Sequence, residues 1–254
     1  MSDAAVGKPA CVLTFHRVLD APERAHDISW AEFSWLLDGL EPSSIAADLT
    51  PNVLAQAPVV LTFDDGTADH VAVADALAER GVAAIFFVST ALLGAPGFIS
   101  RADVSAIRRM GHIIGSHAAH HTLLSRLEPD ELSRELSESR RALEELLAEP
   151  VTLFAPPGGV VSRAVLRAVP RHGYEACRLM RWGLYSSASE RWTIPCVPVT
   201  SLTLDRGWVR ECLRTRRLPP AMRAARMMKS VAPTRARTLV RTWIHRRYAS
   251  VNGG

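Results

Sequence analysis

Two aspartates, Asp64 and Asp65, stand side by side at the end of the apolar run VVLTF (59–63), and Gly66 follows them. Adjacent carboxylates repel each other, so a cation or a shared proton has to hold them together. A second group lies in GHIIGSHAAHH, where His117 and His121 stand four residues apart and can face one cation from a helical turn or a tight loop. Two imidazoles and a carboxylate form a three-ligand set for a catalytic divalent metal, with a position left for water. Asp65, His117 and His121 are the candidates for that set. Asp64 is then free to act as a general base on the water, and Gly66 allows the tight turn that brings both carboxylates to one place.

Such residues must be positioned by regular elements, and the chain supplies an alternation of them. Predicted strands are CVLTF (11–15), PVVLTF (58–63), AAIFFV (83–88), HIIGS (112–116) and VTLFA (151–155). Between them the apolar spacing predicts helices near 30–40, 68–80, 102–110, 129–148 and 162–171. Gly81, in ERGVAAIFFV, suits the end of one helix before the next strand begins. Strands alternating with helices imply a parallel α/β sheet, either open or closed into a barrel. His16 follows the first strand, Asp64 and Asp65 the second and His117 the fourth. In parallel folds the C-terminal strand ends share one face, so these groups are expected to converge.

LTFDDG followed by GHIIGSHAAHH resembles the polysaccharide deacetylases, the family 4 carbohydrate esterases related to the nodulation-factor deacetylase. The resemblance runs over roughly residues 10–205, through ALAERGVAAIFFVSTALLG and LSRELSESRRALEELL. It implies a distorted, TIM-like (β/α) barrel of about seven strands and a divalent metal, zinc first, with cobalt, nickel or manganese as alternatives. It also implies removal of acetyl from an N-acetylhexosamine, with Asp64 as the base and Asp65, His117 and His121 as ligands. His112 and Asp69 read as a strand-start and a helix-start residue, and His120 as a bystander between ligands.

The departures from the family pattern are specific. Its third motif, R-x-P-Y, reads FAPPGG here, with Ala155 at the arginine position and Gly158 at the tyrosine position, so the arginine that orients the base is expected to be missing. Main-chain N–H groups of Gly158 or Gly159 remain as oxyanion donors. A fourth-motif aspartate and a late histidine are also absent from CRLMRWGLYSS and IPCVPVTSL. His16, in VLTFHRV, is similar to the N-terminal histidine of the branch that deacetylates biofilm poly-N-acetylglucosamine, which implies His16 as general acid. Arg181 could orient Asp64, bind substrate or simply face solvent.

The charge is uneven. From Arg206 onward thirteen basic residues face Glu211 alone, so residues 206–254 carry +12 and the catalytic part, 1–205, carries −8. A basic, arginine-rich helical tail is therefore expected, with PAMRAARMMKSV and RTLVRTWIHRRY as short amphipathic helices and Pro219–Pro220 as a break before them. With Trp208, Trp243 and Tyr248 it suits an anionic membrane surface, or else packs as an appendage with a solvated basic face; no motif for nucleic acid accompanies it. No leader-like or membrane-spanning stretch is evident, and Cys11, Cys177, Cys196 and Cys212 read as packing residues. The expected location is the cytoplasm, peripheral to the inner membrane face, with a glycan, lipid-linked or nucleotide-linked sugar as substrate. The rival readings are hydrolysis of another non-peptide C–N bond, and a metal-binding pseudoenzyme that binds glycan or organises a membrane assembly.

Overall fold

The computed structural model describes residues 9–56, 59–159, 161–186 and 190–231. In chain order the strands are β1 (Cys11–Phe15), β2 (Val18–Leu19), β3 (Ile28–Ser29), β4 (Ile45–Ala46) and β5 (Val59–Phe63), then β6 (Ile85–Val88), β7 (Ile113–Ser116), β8 (Leu153–Phe154), β9 (Ala176–Trp182) and β10 (Ile194–Pro198). The α-helices are α1 (Trp30–Asp38), α2 (Pro51–Gln56), α3 (His70–Ala78), α4 (Arg101–Arg109), α5 (Pro129–Leu147) and α6 (Arg163–Arg171), followed by α7 (Ser201–Asp205), α8 (Trp208–Thr215) and α9 (Pro220–Val231).

Seven parallel strands close the barrel in the order β1, β5, β6, β7, β8, β9, β10, and β10 returns to β1. The short β4 lies beside the first half of β5, whose second half pairs with β6. Strands β1 and β5 are buried along their whole length, which is why they read as apolar runs rather than as alternating patterns. Their register sets Leu13, Thr14 and Phe15 against Leu61, Thr62 and Phe63. Between the two strands the Thr14 and Thr62 hydroxyls meet at 2.9 Å. Phe15, Phe63 and Phe86 stack in a ladder at 4.8 and 4.9 Å, and Phe33 of α1 packs edge-on against the first two rings.

The alternate residues Val12, Val60, Ile85, Phe87, Leu153, Ala176, Ile194 and Cys196 form a single apolar cluster. Gly115 makes room for Phe87 within the sheet: a Cβ there would lie 2.5 Å from the Phe87 ring. Local signals set the helix starts. Ser29–Glu32 and Ser100–Asp103 are capping boxes, and Ser162 caps α6. Gly81 (φ 66°) ends the turn after α3 as its sequence position predicts.

Strands β9 and β10 were not among those predicted, and β8 is shorter than VTLFA suggests. Prolines 195 and 198 and arginines 178 and 181 blur the apolar runs of β9 and β10. The chain divides into two compact units, Met1–Arg217 and Leu218–Gly254, so the division falls at the proline break and not at the change of charge near Asp205. The first unit includes α7 and α8, where Trp208 packs on Trp182 at 6.4 Å. In the second, PAMRAARMMKSV forms α9; RTLVRTWIHRRY lies outside the described residues. All four cysteines are free and buried. Among the described residues no helix is long and apolar enough to cross a membrane.

Candidate active site

Because β1 and β5 pair in register, the residues that follow them leave the barrel at the same level, which places His16 beside Asp64. The Asp64 N–H donates to the Phe15 carbonyl at 3.0 Å and continues the ladder by one step. The chain then turns sharply through Asp65 (φ 81°) and Gly66 (φ 77°). A left-handed aspartate is a strained choice that persists only where its surroundings enforce it. Here the turn aims one carboxylate inward and one toward the end of β7.

At that end Asp65 Oδ1 lies 3.3 Å from His117 Nε2 and 3.0 Å from His121 Nε2. One ligand atom from each of the three residues lies within 4.8 Å of the others. The His117 Nδ1–H donates to the Ala155 carbonyl at 2.6 Å, which fixes the ring and turns Nε2 toward Asp65. The cluster requires positive charge, because bare Nε2 lone pairs would otherwise face a carboxylate. A second proton on the His117 ring or one divalent cation shared by the three residues supplies it, and the donor set suits zinc. Burial works against the Asp65 charge, yet hydrogen bonds from His117 and His121 outweigh it and hold the carboxyl far below the ordinary range. The same contact raises His121.

Asp64 is only 2% exposed, and its Oδ1 accepts a hydrogen bond from Nη2 of Arg178, itself fully buried. This corrects the expectation of a missing arginine. Phe154 pairs with Cys177 across β8 and β9, so Ala155 and Arg178 stand one step further along the same register. The guanidinium reaches Asp64 from the strand next to the motif position, passing 5.2 Å from the Phe87 ring centre. A charged residue inside the buried run ACRLM was the signal in the sequence. Arg181, the arginine weighed instead, is exposed and donates to the Thr193 carbonyl at 3.1 Å.

His16 is partly buried, and burial lowers its pKa against the pull of Asp64 and Asp65. Two residues at the start of α3, the cap Asp69 and the first helical residue His70, fix the chain here: the His70 ring Nε2–H donates to the His16 carbonyl at 2.7 Å, and Asp69 Oδ2 accepts from Val18 N–H at 2.8 Å. Asp69 occupies the helix start, but its side chain makes no cap bond and holds the β1 exit instead. His26 stacks obliquely over His16 at 5.0 Å from the loop LDAPERAHD. That loop is pinned by Arg17 on Asp27. Gly158 (φ 65°) and Gly159 (φ 64°) make a tight turn, and the Gly159 N–H is taken by the Pro156 carbonyl at 2.9 Å. That bond occupies the Gly159 N–H expected as an oxyanion donor, whereas Gly158 is exposed.

Residues 52–177 match the family described as polysaccharide deacetylase. The chain belongs to the polysaccharide deacetylase family. It is 28% identical over 138 residues to a peptidoglycan-N-acetylglucosamine deacetylase of Bacillus cereus, covering 54% of this chain and 62% of that one. It is 32% identical over 123 residues to the peptidoglycan-N-acetylmuramic acid deacetylase PdaA of Bacillus subtilis, covering 46% and 44%. With PgdA of Listeria monocytogenes the match covers 27% of the relative, so the chain spans between about a quarter and somewhat less than two thirds of these proteins. Among solved structures, the Streptococcus pyogenes deacetylase PplD superposes with a TM-score of 0.70 at 18% identity, over 76% of this chain and 92% of that one. IcaB from Ammonifex degensii gives 0.69 at 21%, over 79% and 96%. At these identities the superpositions establish the barrel fold that this family shares.

Proposed function

We propose that the protein is a metal-dependent N-deacetylase that hydrolyses the acetamide of an N-acetylhexosamine in a glycan or in a lipid- or nucleotide-linked glycan precursor. The observation that carries this reading is a buried Asp64–Arg178 pair beside a carboxylate and two imidazoles that can share one cation. A divalent metal on Asp65, His117 and His121 would acidify a water and polarise the acetyl carbonyl. Asp64 takes the proton of the attacking water on the carboxylate that Arg178 pins through Oδ1. His16, at the end of β1 beside Asp64, gives a proton to the departing amine; a lowered pKa makes its imidazolium the stronger acid. The Gly158 N–H is assigned to the oxyanion. Arg178 also speaks against the pseudoenzyme reading, because it gives the base a buried cationic partner.

The names of the relatives point to peptidoglycan sugars, and the basic segment beyond Arg206 suits a substrate presented at an anionic inner membrane face. The test is acetate release from N-acetylglucosamine oligomers by the wild type, Asp64→Asn and His16→Ala. Loss of about 10²–10⁴-fold in kcat for each supports the two roles. Turnover of small cyclic amides or formamides with none on any acetylated sugar would replace this reading with another C–N hydrolase.

A further inference from the structure

The five residues from His117 to His121 carry two of the three proposed ligands on a backbone that does not relax there by itself. Ala118 (φ 61°) and His121 (φ 55°) both sit in the left-handed region, although neither is glycine. One side of the loop is fastened by the segment after β6: Ser89 Oγ donates to the His117 carbonyl and Ala91 N–H to the Ala119 carbonyl, each at 2.9 Å. The other side is fastened by one side chain of α5. Glu135 Oε2 accepts the N–H groups of both Ala119 and His120 at 3.0 Å, and Oε1 meets His120 Nδ1 at 2.7 Å.

Glu135 is 9% exposed, on the same helix face as Leu132, Leu136, Ser139 and Leu143. Packing alone has no use for a carboxylate there, since an apolar side chain would fill the space without the cost of burying charge. One turn on, Ser139 Oγ bonds Ser116 Oγ at 2.9 Å, and the Tyr174 hydroxyl donates to Ser116 at the same distance. These bonds lock α5 against the end of β7, so Glu135 acts from a rigid base.

We propose that Glu135 is a positioning residue for the metal centre: by gripping two consecutive N–H groups it holds the loop in the strained form that brings His121 to Asp65 and His117, and so sets cation affinity and geometry. The proposal rests on the metal-site reading of those three residues. It acts through the backbone of residues 119 and 120, so the exposed His120 ring is dispensable.

The test is titration of the metal-free 254-residue chain with Co²⁺, read by equilibrium dialysis and by the visible d–d absorption of bound cobalt, with far-UV circular dichroism as the folding control. Glu135→Ala should bind Co²⁺ about 10–100-fold more weakly with an altered spectrum. Glu135→Gln, isosteric and able to accept through its amide oxygen, should fall in between. His120→Ala and the exposed-site control Glu138→Ala should match the wild type. A folded Glu135→Ala or Glu135→Gln protein with wild-type affinity and spectrum overturns the proposal, as does a loss in His120→Ala as large as that in Glu135→Ala. A wild type that binds no Co²⁺ overturns the metal-site reading itself, and the inference with it.

Discussion

Asp64, Asp65, His117 and His121 could be read from the sequence because each pair sits in one short motif whose spacing already implies shared geometry. Arg178 could not be found that way: it acts on Asp64 from 114 residues further along the chain, and only barrel closure makes them partners. Its one local mark is a charge within a buried strand, which the neighbouring Arg181 obscured. Removing one member of a buried pair leaves the other uncompensated, at a cost of about 3–5 kcal/mol. Arg178→Ala should lower the urea-unfolding free energy by that order and reduce kcat. Arg178→Lys, which keeps the charge but not the planar fork, should recover stability more than rate. Wild-type stability and kcat in Arg178→Ala would remove it from the account.

At the scale of elements, strands β1, β5 and β6 were legible as buried apolar runs and β7 by its Ile113–Ile114 start, and the in-register pairing of β1 with β5 is what aligns His16 with Asp64. Strand β9 was hidden by Arg178 and Arg181, and β10 by its prolines. His112 shows how the elements are tied. Its Nδ1 accepts from Ala84 N–H at 3.1 Å, just before β6, and its Nε2–H donates to the Ala74 carbonyl of α3 at 2.9 Å. That pattern requires the neutral ring, and burial lowers the His112 pKa. The unfolded chain therefore takes up this proton first. The contribution of His112 is complete above the ordinary histidine pKa of about 6.5 and is lost as pH falls below it, by up to about 1.4 kcal/mol per pH unit. Urea unfolding at pH 7.5 and pH 5 should show a larger acid loss for the wild type than for His112→Gln; equal losses would contradict the assignment.

The whole molecule joins an acidic barrel to an arginine-rich C-terminal segment, a contrast visible in the sequence alone. The parallel α/β class was legible because strands alternate with helices, whereas closure into a barrel was implied by the family resemblance. The unit boundary at Arg217–Leu218 was less so, since charge changes at one place and compactness at another. If the segment docks on anionic lipid, deleting residues 217–254 should move the protein from the membrane fraction to the soluble one, and unchanged partitioning would reject that role. The central claim is the metal-centred site, and metal content tests it most directly, measured on the wild type, Asp65→Ala and His117→Ala with acetate release recorded on the same samples. The account predicts stoichiometric metal and acetate release in the wild type, with both lost in each variant. A folded wild-type protein without metal, or metal retained in both variants, would contradict it.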